Sequence, residues 1–139
     1  MTCISVNDAV VHGIPGRYRL RDGDLVSVDC GARVDGWCGD AAVSFVVGEA
    51  SRADLDLIAT TTRALEAGIA AARPGARLGD VAHAIGTVAR AAGYGMMADH
   101  GGHGIGREIH EDPHVPNEGR SGRAGSACSP ASCSPSSRC

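Results

Sequence analysis

The residues able to do chemistry are two aspartates eleven positions apart, Asp29 and Asp40, and two histidines seven positions apart, His103 and His110. Carboxylate oxygen with imidazole nitrogen is a donor set for a divalent first-row metal. Gly102, Gly104 and Gly106 surround the first histidine, and glycine supplies the dihedrals and close backbone approach that a ligand loop needs. The plain alternative for the aspartates is a pair of solvated strand carboxylates. Against it, strands are depleted in Asp, and the neighbours Val28, Cys30, Trp37 and Phe45 are expected to be buried.

The elements that must position the aspartates follow from local sequence. Leu25 to Arg33 and Trp37 to Val47 are rich in β-branched and apolar residues, and Asp35-Gly36 between them is a two-residue hairpin signal. Such a turn pairs Val34 with Trp37, and therefore Asp29 with Ala42 and Gly31 with Asp40. Asp29 and Asp40 then stand diagonally on one face of the ribbon, ~7–8 Å apart at Cα. Carboxylates that close repel one another, and a divalent cation removes the conflict.

Beyond the hairpin, Ser51 with Asp54 three residues on forms a capping pattern. Leu55, Ile58, Thr62, Leu65 and Ile69 recur at helical spacing up to Pro74-Gly75. A second helix from about Leu78 places Val81, Ile85, Val88 and Ala92 on one face and stops at Gly93. The order is strand, hairpin, two helices, strand and glycine loop, an α+β arrangement. His83 lies off the apolar stripe of its helix, His114 sits between Pro113 and Pro116, and His100 has no assignable place. His12, taken alone, is a satisfied loop histidine.

At this point the residues carry a resemblance to a known family. The run Ser5 to Pro15, Ser-Val-Asn-Asp-Ala-Val-Val-His-Gly-Ile-Pro, resembles the entry segment of type I methionine aminopeptidases. Asp22-Gly23-Asp24 leading into Val28-Asp29, then Asp35-Gly36-Trp37-Cys38-Gly39-Asp40, is similar to that family's two metal-binding aspartates. Gly102-His103-Gly104-Ile105-Gly106 with Ile109-His110-Glu111 resembles its histidine pair, and the likeness runs from Cys3 to about Glu118, 116 of 139 residues.

The resemblance implies a partial pita-bread fold and a paired-metal hydrolase that removes the N-terminal methionine of nascent polypeptides, with the ribosome as a further partner. It implies two divalent metal ions, Co, Mn, Fe or Zn. Carried over by position, Asp29 and Asp40 are metal ligands, with Asp40 bridging, and His103 ligates the other metal. His12 and His110 contact substrate and stabilise the transition state, while Cys3 and Ile109 line the methionine side-chain pocket. Two other readings stay open: a proline-directed pita-bread peptidase, and a non-catalytic module that binds metal or a partner.

The chain also departs from the family. Family sites use five protein ligands, the last two being glutamates on strands beyond the histidine pair, yet no acidic residue follows Glu118. All sixteen acidic residues and ten of the thirteen arginines lie in residues 1–119, so that part carries −6 and residues 120–139 carry +3. We expect residues 1–119 to be a partial catalytic domain. Residues 120–139, rich in Ser, Pro and Cys, have a composition that makes no core. The chain has no lysine and abundant Ala, Gly, Arg and Pro, the signature of a GC-rich gene. Reading the tail from the third nucleotide of the Arg123 codon with G- or C-ending codons, Ser137 being AGC, yields Gly-Arg-Val-Arg-Leu-Leu-Pro-Gly-Leu-Val-Leu-Ala-Leu-Glu-Pro, which is the family's next strand with its glutamate. A one-nucleotide slip is therefore the expected origin of the tail, with a genuine low-complexity arm as the alternative.

Met1 falls inside the pocket strand, where the family has further elements before it. A chain truncated at both ends is expected to leave apolar faces uncovered and to be weak or inactive. Cys128, Cys133 and Cys139 lie in the tail, whereas Cys3, Cys30 and Cys38 read as reduced, buried thiols of a cytoplasmic protein. No apolar stretch approaches the ~18 residues of a membrane span, and three tail arginines make no case for nucleic acid.

Overall fold

A computed structural model of the chain describes residues 1–122 and 125–128. Cys133 and Cys139, and the tail from residue 129 onward, lie outside the described residues. The elements are β1 (Thr2–Val6), β2 (Leu25–Val34), β3 (Trp37–Val46), α1 (Arg52–Ala71), α2 (Leu78–Ala91), β4 (Gly101–Gly104) and β5 (Glu111–Pro116). They fall into two compact units: Met1–Ala59 with Arg107–Ile109, and Thr60–Gly106 with the residues from His110 on.

The first unit is built on an antiparallel sheet of order β1-β2-β3. Asp35 and Gly36 both have positive φ, 51° and 78°, which is the turn whose twist matches a right-twisted ribbon. The register is the expected one: Val34 pairs with Trp37, Asp29 with Ala42, and Gly31 with Asp40. Burial differs from expectation. Val28 is half-buried and Cys30 exposed, and Trp37 and Phe45 are 54% and 41% exposed. Strand side chains are buried only where a second layer covers them, and in the described residues that cover is fullest at Val26, which is 0% exposed. The Trp37 ring instead carries the Arg107 guanidinium 4.1 Å from its centroid, a cation–π contact suited to an exposed ring.

The helices start as the sequence indicates. The Asp54 N–H donates to Ser51 Oγ at 3.1 Å, capping α1. The Arg77 N–H donates to Asp80 Oδ2 at 2.9 Å, the reciprocal half of a capping box. Gly93, with φ of 80°, ends the path after α2. The face of α1 that is buried is Thr60, Ala64 and Gly68, not the expected stripe of Leu55, Ile58, Thr62, Leu65 and Ile69. Leu55, Leu65 and Ile69 are 50–59% exposed. The reason is close helix approach: a Cβ on Gly68 would lie 2.8 Å from Ile85 Cγ1 and 3.6 Å from Val81 Cγ1, so the large side chains of α2 fill the space beside the smallest ones of α1. Of the expected apolar stripe of α1, Ile58 alone is half-buried.

The glycine segment around His103 is a strand, β4, and not the expected loop. It pairs with β5, His103 opposite His114, with a register shift between His103 and Gly104. A Cβ on Gly101 would come 2.6 Å from the Val115 oxygen, so the glycines let two backbones approach where a side chain would hold them apart. The first tail residues pack at the start of α2: Ser121 Oγ and the Gly122 N–H both donate to Asp80 Oδ1, at 2.8 and 2.7 Å, and Ala127 bridges to Arg77. No helix is long and apolar enough to cross a membrane, among the described residues.

Candidate metal centre

Directly opposed residues of an antiparallel sheet project to the same side. Cys3 stands opposite Asp29, Asp29 opposite Ala42, and Asp40 opposite Gly31, so Cys3, Asp29 and Asp40 share one face of the sheet. Ile109 lies over the same face, because a Cβ on Gly31 would fall 2.6 Å from Ile109 Cδ1. The first unit thus gathers four of the residues singled out in the sequence. Asp29 is half-buried and Asp40 exposed.

Residues Arg107 to Ile109 are strapped to the tip of the ribbon, a feature the sequence did not signal. Arg107 Nη1 donates to the Asp35 carbonyl at 3.1 Å, Arg33 pairs with Glu108 at 3.0 Å, and Cys38 Sγ donates to the Arg107 carbonyl at 3.5 Å. The Arg33 guanidinium is held above its usual range by its contacts with Cys38 and then Glu108. Only after folding do residues 33–38 and 107–109 meet, so no local pattern records the pairing.

His12 sits in the loop between β1 and β2, exposed, in the left-handed region with φ of 57°. Its neighbour Gly13 docks on β1: the Ile4 N–H donates to the Gly13 carbonyl at 2.8 Å, and a Cβ at Gly13 would overlap the Ile4 carbonyl oxygen.

In the second unit, His103 is half-buried and its ring centroid lies 4.3 Å from that of His110, the planes tilted by 51°. His103 Nδ1 is 2.9 Å from the Gly104 carbonyl oxygen. A carbonyl can only accept, so Nδ1 is the donor in this contact, an arrangement typical of a metal-ligating histidine. His83 is exposed on α2, as expected of a helix-surface histidine. His114 leans over Gly101, whose added Cβ would meet its Cε1 at 2.8 Å, and the His100 carbonyl accepts from Asn117 Nδ2 at 3.3 Å.

Two carboxylates on one face of the sheet, and separately an imidazole in the second unit, fit a divalent first-row metal by donor type. No group of three or more His, Cys, Asp or Glu gathers as a ready metal cage among the described residues.

The frame that carries these residues is the pita-bread fold of metal-dependent aminopeptidases and prolidases. A solved methionine aminopeptidase from Thermotoga maritima superposes with a TM-score of 0.88 at 45% identity, over 92% of this chain and 51% of that one. A prolidase from Pyrococcus furiosus gives a TM-score of 0.78 at 28% identity, over 86% of this chain and 36% of that one. The chain belongs to metallopeptidase family M24, whose sequence model matches residues 1–129. Methionine aminopeptidase 1 of Mycobacterium tuberculosis is 56% identical over 128 residues, which are 87% of this chain and 48% of the relative. The chain thus spans about half the length of the curated relatives it matches.

Proposed function

We propose that this chain carries part of a methionine aminopeptidase, a metal-dependent exopeptidase that removes the initiator methionine from nascent polypeptides in the cytoplasm, near the ribosome. The observation that carries the reading is the shared face of Cys3, Asp29, Asp40 and Ile109, joined to 56% identity with a named methionine aminopeptidase. Asp29, Asp40 and His103 hold the metal, with a pair of ions as the finer expectation and Mn, Fe, Co or Zn all compatible with the donors.

Bound there, a divalent metal lowers the pKa of water and polarises a carbonyl. The chain's own residues do the rest. Cys3 and Ile109 line the side-chain pocket and exclude water from the methionine thioether. His12 and His110 contact the substrate and stabilise the transition state without ligating the metal. The test is hydrolysis of a Met-Ala-Ser peptide by the purified chain in Mn(II), Co(II), Fe(II) and Zn(II), with Asp40→Asn as control. Cleavage of an X-Pro dipeptide in place of Met-Ala-Ser would move the chain to the proline-directed members of the family.

A second reading follows from the chain spanning about half the length of its curated relatives: a module that binds metal or a partner without turnover. Stoichiometric Co(II) binding with no hydrolysis would support it. A folded chain that binds no divalent metal would refute the first reading and the metal-binding form of the second.

A further inference from the structure

The loop between β1 and β2 runs for eighteen residues, Asn7 to Asp24, with no regular structure of its own. Loops that long are uncommon in a compact domain and are usually functional. Besides bonds at Ala9, Asp22 and Gly23, this one is tied down at four points. At its start, Asn7 donates from its own N–H to the Leu25 carbonyl at 2.8 Å, accepts the Leu25 N–H on Oδ1 at 3.0 Å, and donates from Nδ2 to Asp24 Oδ1 at 2.9 Å. In its middle, the Gly13 N–H donates to Ser5 Oγ at 3.2 Å. Further on, the Tyr18 hydroxyl donates to Asp24 Oδ2 at 3.0 Å, and the Arg21 N–H to the same oxygen at 2.8 Å.

Three of the four ties end on one carboxylate. Asp24 is 7% exposed, and a buried carboxylate is tolerated only when its oxygens are met by donors, which here come from three separate stretches of one loop. The fourth tie sits beside His12. With Asn7 and Tyr18 fixed to Asp24 and Gly13 fixed to β1, the segment bearing His12 is held from both sides. Its left-handed φ of 57° is a conformation histidine adopts more readily than most residues.

We infer that Asp24 is a positioning residue for His12: it touches neither substrate nor metal, and it sets where the His12 imidazole stands by anchoring the loop through Asn7, Tyr18 and Arg21. The inference rests on the reading in which His12 meets the substrate. A purely architectural role, in which Asp24 only steadies the start of β2, is the competing account.

The test uses the full chain labelled at histidine 13Cε1, with the His12 signal assigned by its loss in His12→Gln. Tyr18→Phe removes one hydroxyl donor, Asp24→Asn replaces an acceptor by a donor, and Asp80→Asn is a control carboxylate in the second unit. The expected result is that Tyr18→Phe and Asp24→Asn move the His12 signal toward that of free histidine and speed amide exchange at residues 11–14. Cross-strand contacts between Asp29 and Ala42 persist, and Asp80→Asn leaves His12 unmoved. Where the wild-type chain cleaves Met-Ala-Ser, kcat falls about 10–100-fold with KM nearly unchanged, the scale of a misplaced group. A His12 signal unmoved in Tyr18→Phe while the sheet contacts persist overturns the inference, as does an equal movement in Asp80→Asn. If Asp24→Asn loses the sheet, Tyr18→Phe alone decides. A wild-type chain without turnover counts against methionine removal and leaves the His12 signal to decide the positioning role.

Discussion

His103 and His110 stand with ring centroids 4.3 Å apart, and only the first has its tautomer set by the backbone, through the Gly104 carbonyl. They lie seven positions apart in the chain, and the proposed function gives them different tasks. His103 is half-buried with Nδ1 on the Gly104 carbonyl; His110 is exposed. Removing the first should therefore hurt metal binding, and removing the second should not. In titration calorimetry with Co(II), His103→Ala is expected to weaken binding at least tenfold, about 1.4 kcal/mol, and His110→Ala by less than threefold. Equal losses would show that the division of labour is wrong.

Gly13 and Gly31 make a matched pair of substitutions. An alanine methyl at Gly13 meets the Ile4 carbonyl, which is backbone of β1, whereas at Gly31 it meets the tip of Ile109. Backbone cannot turn aside and a side-chain tip can. In urea unfolding, Gly13→Ala should cost about 1–3 kcal/mol, and Gly31→Ala less than about 1 kcal/mol while displacing the Ile109 δ-methyl resonance. A larger cost at Gly31 would refute this ordering.

At Gly68, alanine improves helix propensity by about 1 kcal/mol but forces a methyl to 2.8 Å from Ile85 Cγ1. Overpacking of about 1–3 kcal/mol outweighs the gain, so Gly68→Ala is expected to be destabilising. Ile85→Val, which trims the opposing side chain, should restore part of the loss in the double variant. Strict additivity of the two changes would show that the helices do not meet there.

Acid should act on both units through identifiable carboxylates. Asp24 is held below its usual range by the Arg21 N–H, then the Asn7 amide, with the Tyr18 hydroxyl adding to the effect against desolvation. Asp80 is lowered by the Arg77 N–H, then the Ser121 hydroxyl and the Gly122 N–H. A carboxyl whose folded pKa is depressed stabilises the fold above its unfolded pKa, and that contribution is lost as pH falls through the folded value. Stability should therefore be level from neutral pH to the ordinary carboxylate range and decline below it. Asp80→Asn should flatten that decline and raise hydrogen exchange at Gly122 even at neutral pH.

The hairpin was legible in the sequence because its determinants are local. Asp35-Gly36 demands positive φ at both turn positions, the turn sets the register, and the register puts Asp29 and Asp40 on one face. Caps at Ser51 and the halt at Gly93 are equally local. The glycine strand β4 was not legible, because glycine has little strand propensity and its role there is to admit the backbone of β5, an element ten residues on.

The order of elements as far as α2, the turn, the carboxylate pair and the histidine pair were determined by the sequence alone, since each depends on contacts within a few residues or on a two-residue period. Tertiary structure alone decided which face of α1 is buried, that Arg107 lies on Trp37, that Ile109 fills the space Gly31 leaves open, and that Asp24 ties down the His12 loop. Those outcomes depend on the fit between side chains far apart in the chain, and fit is a property of packed volumes that no local pattern encodes.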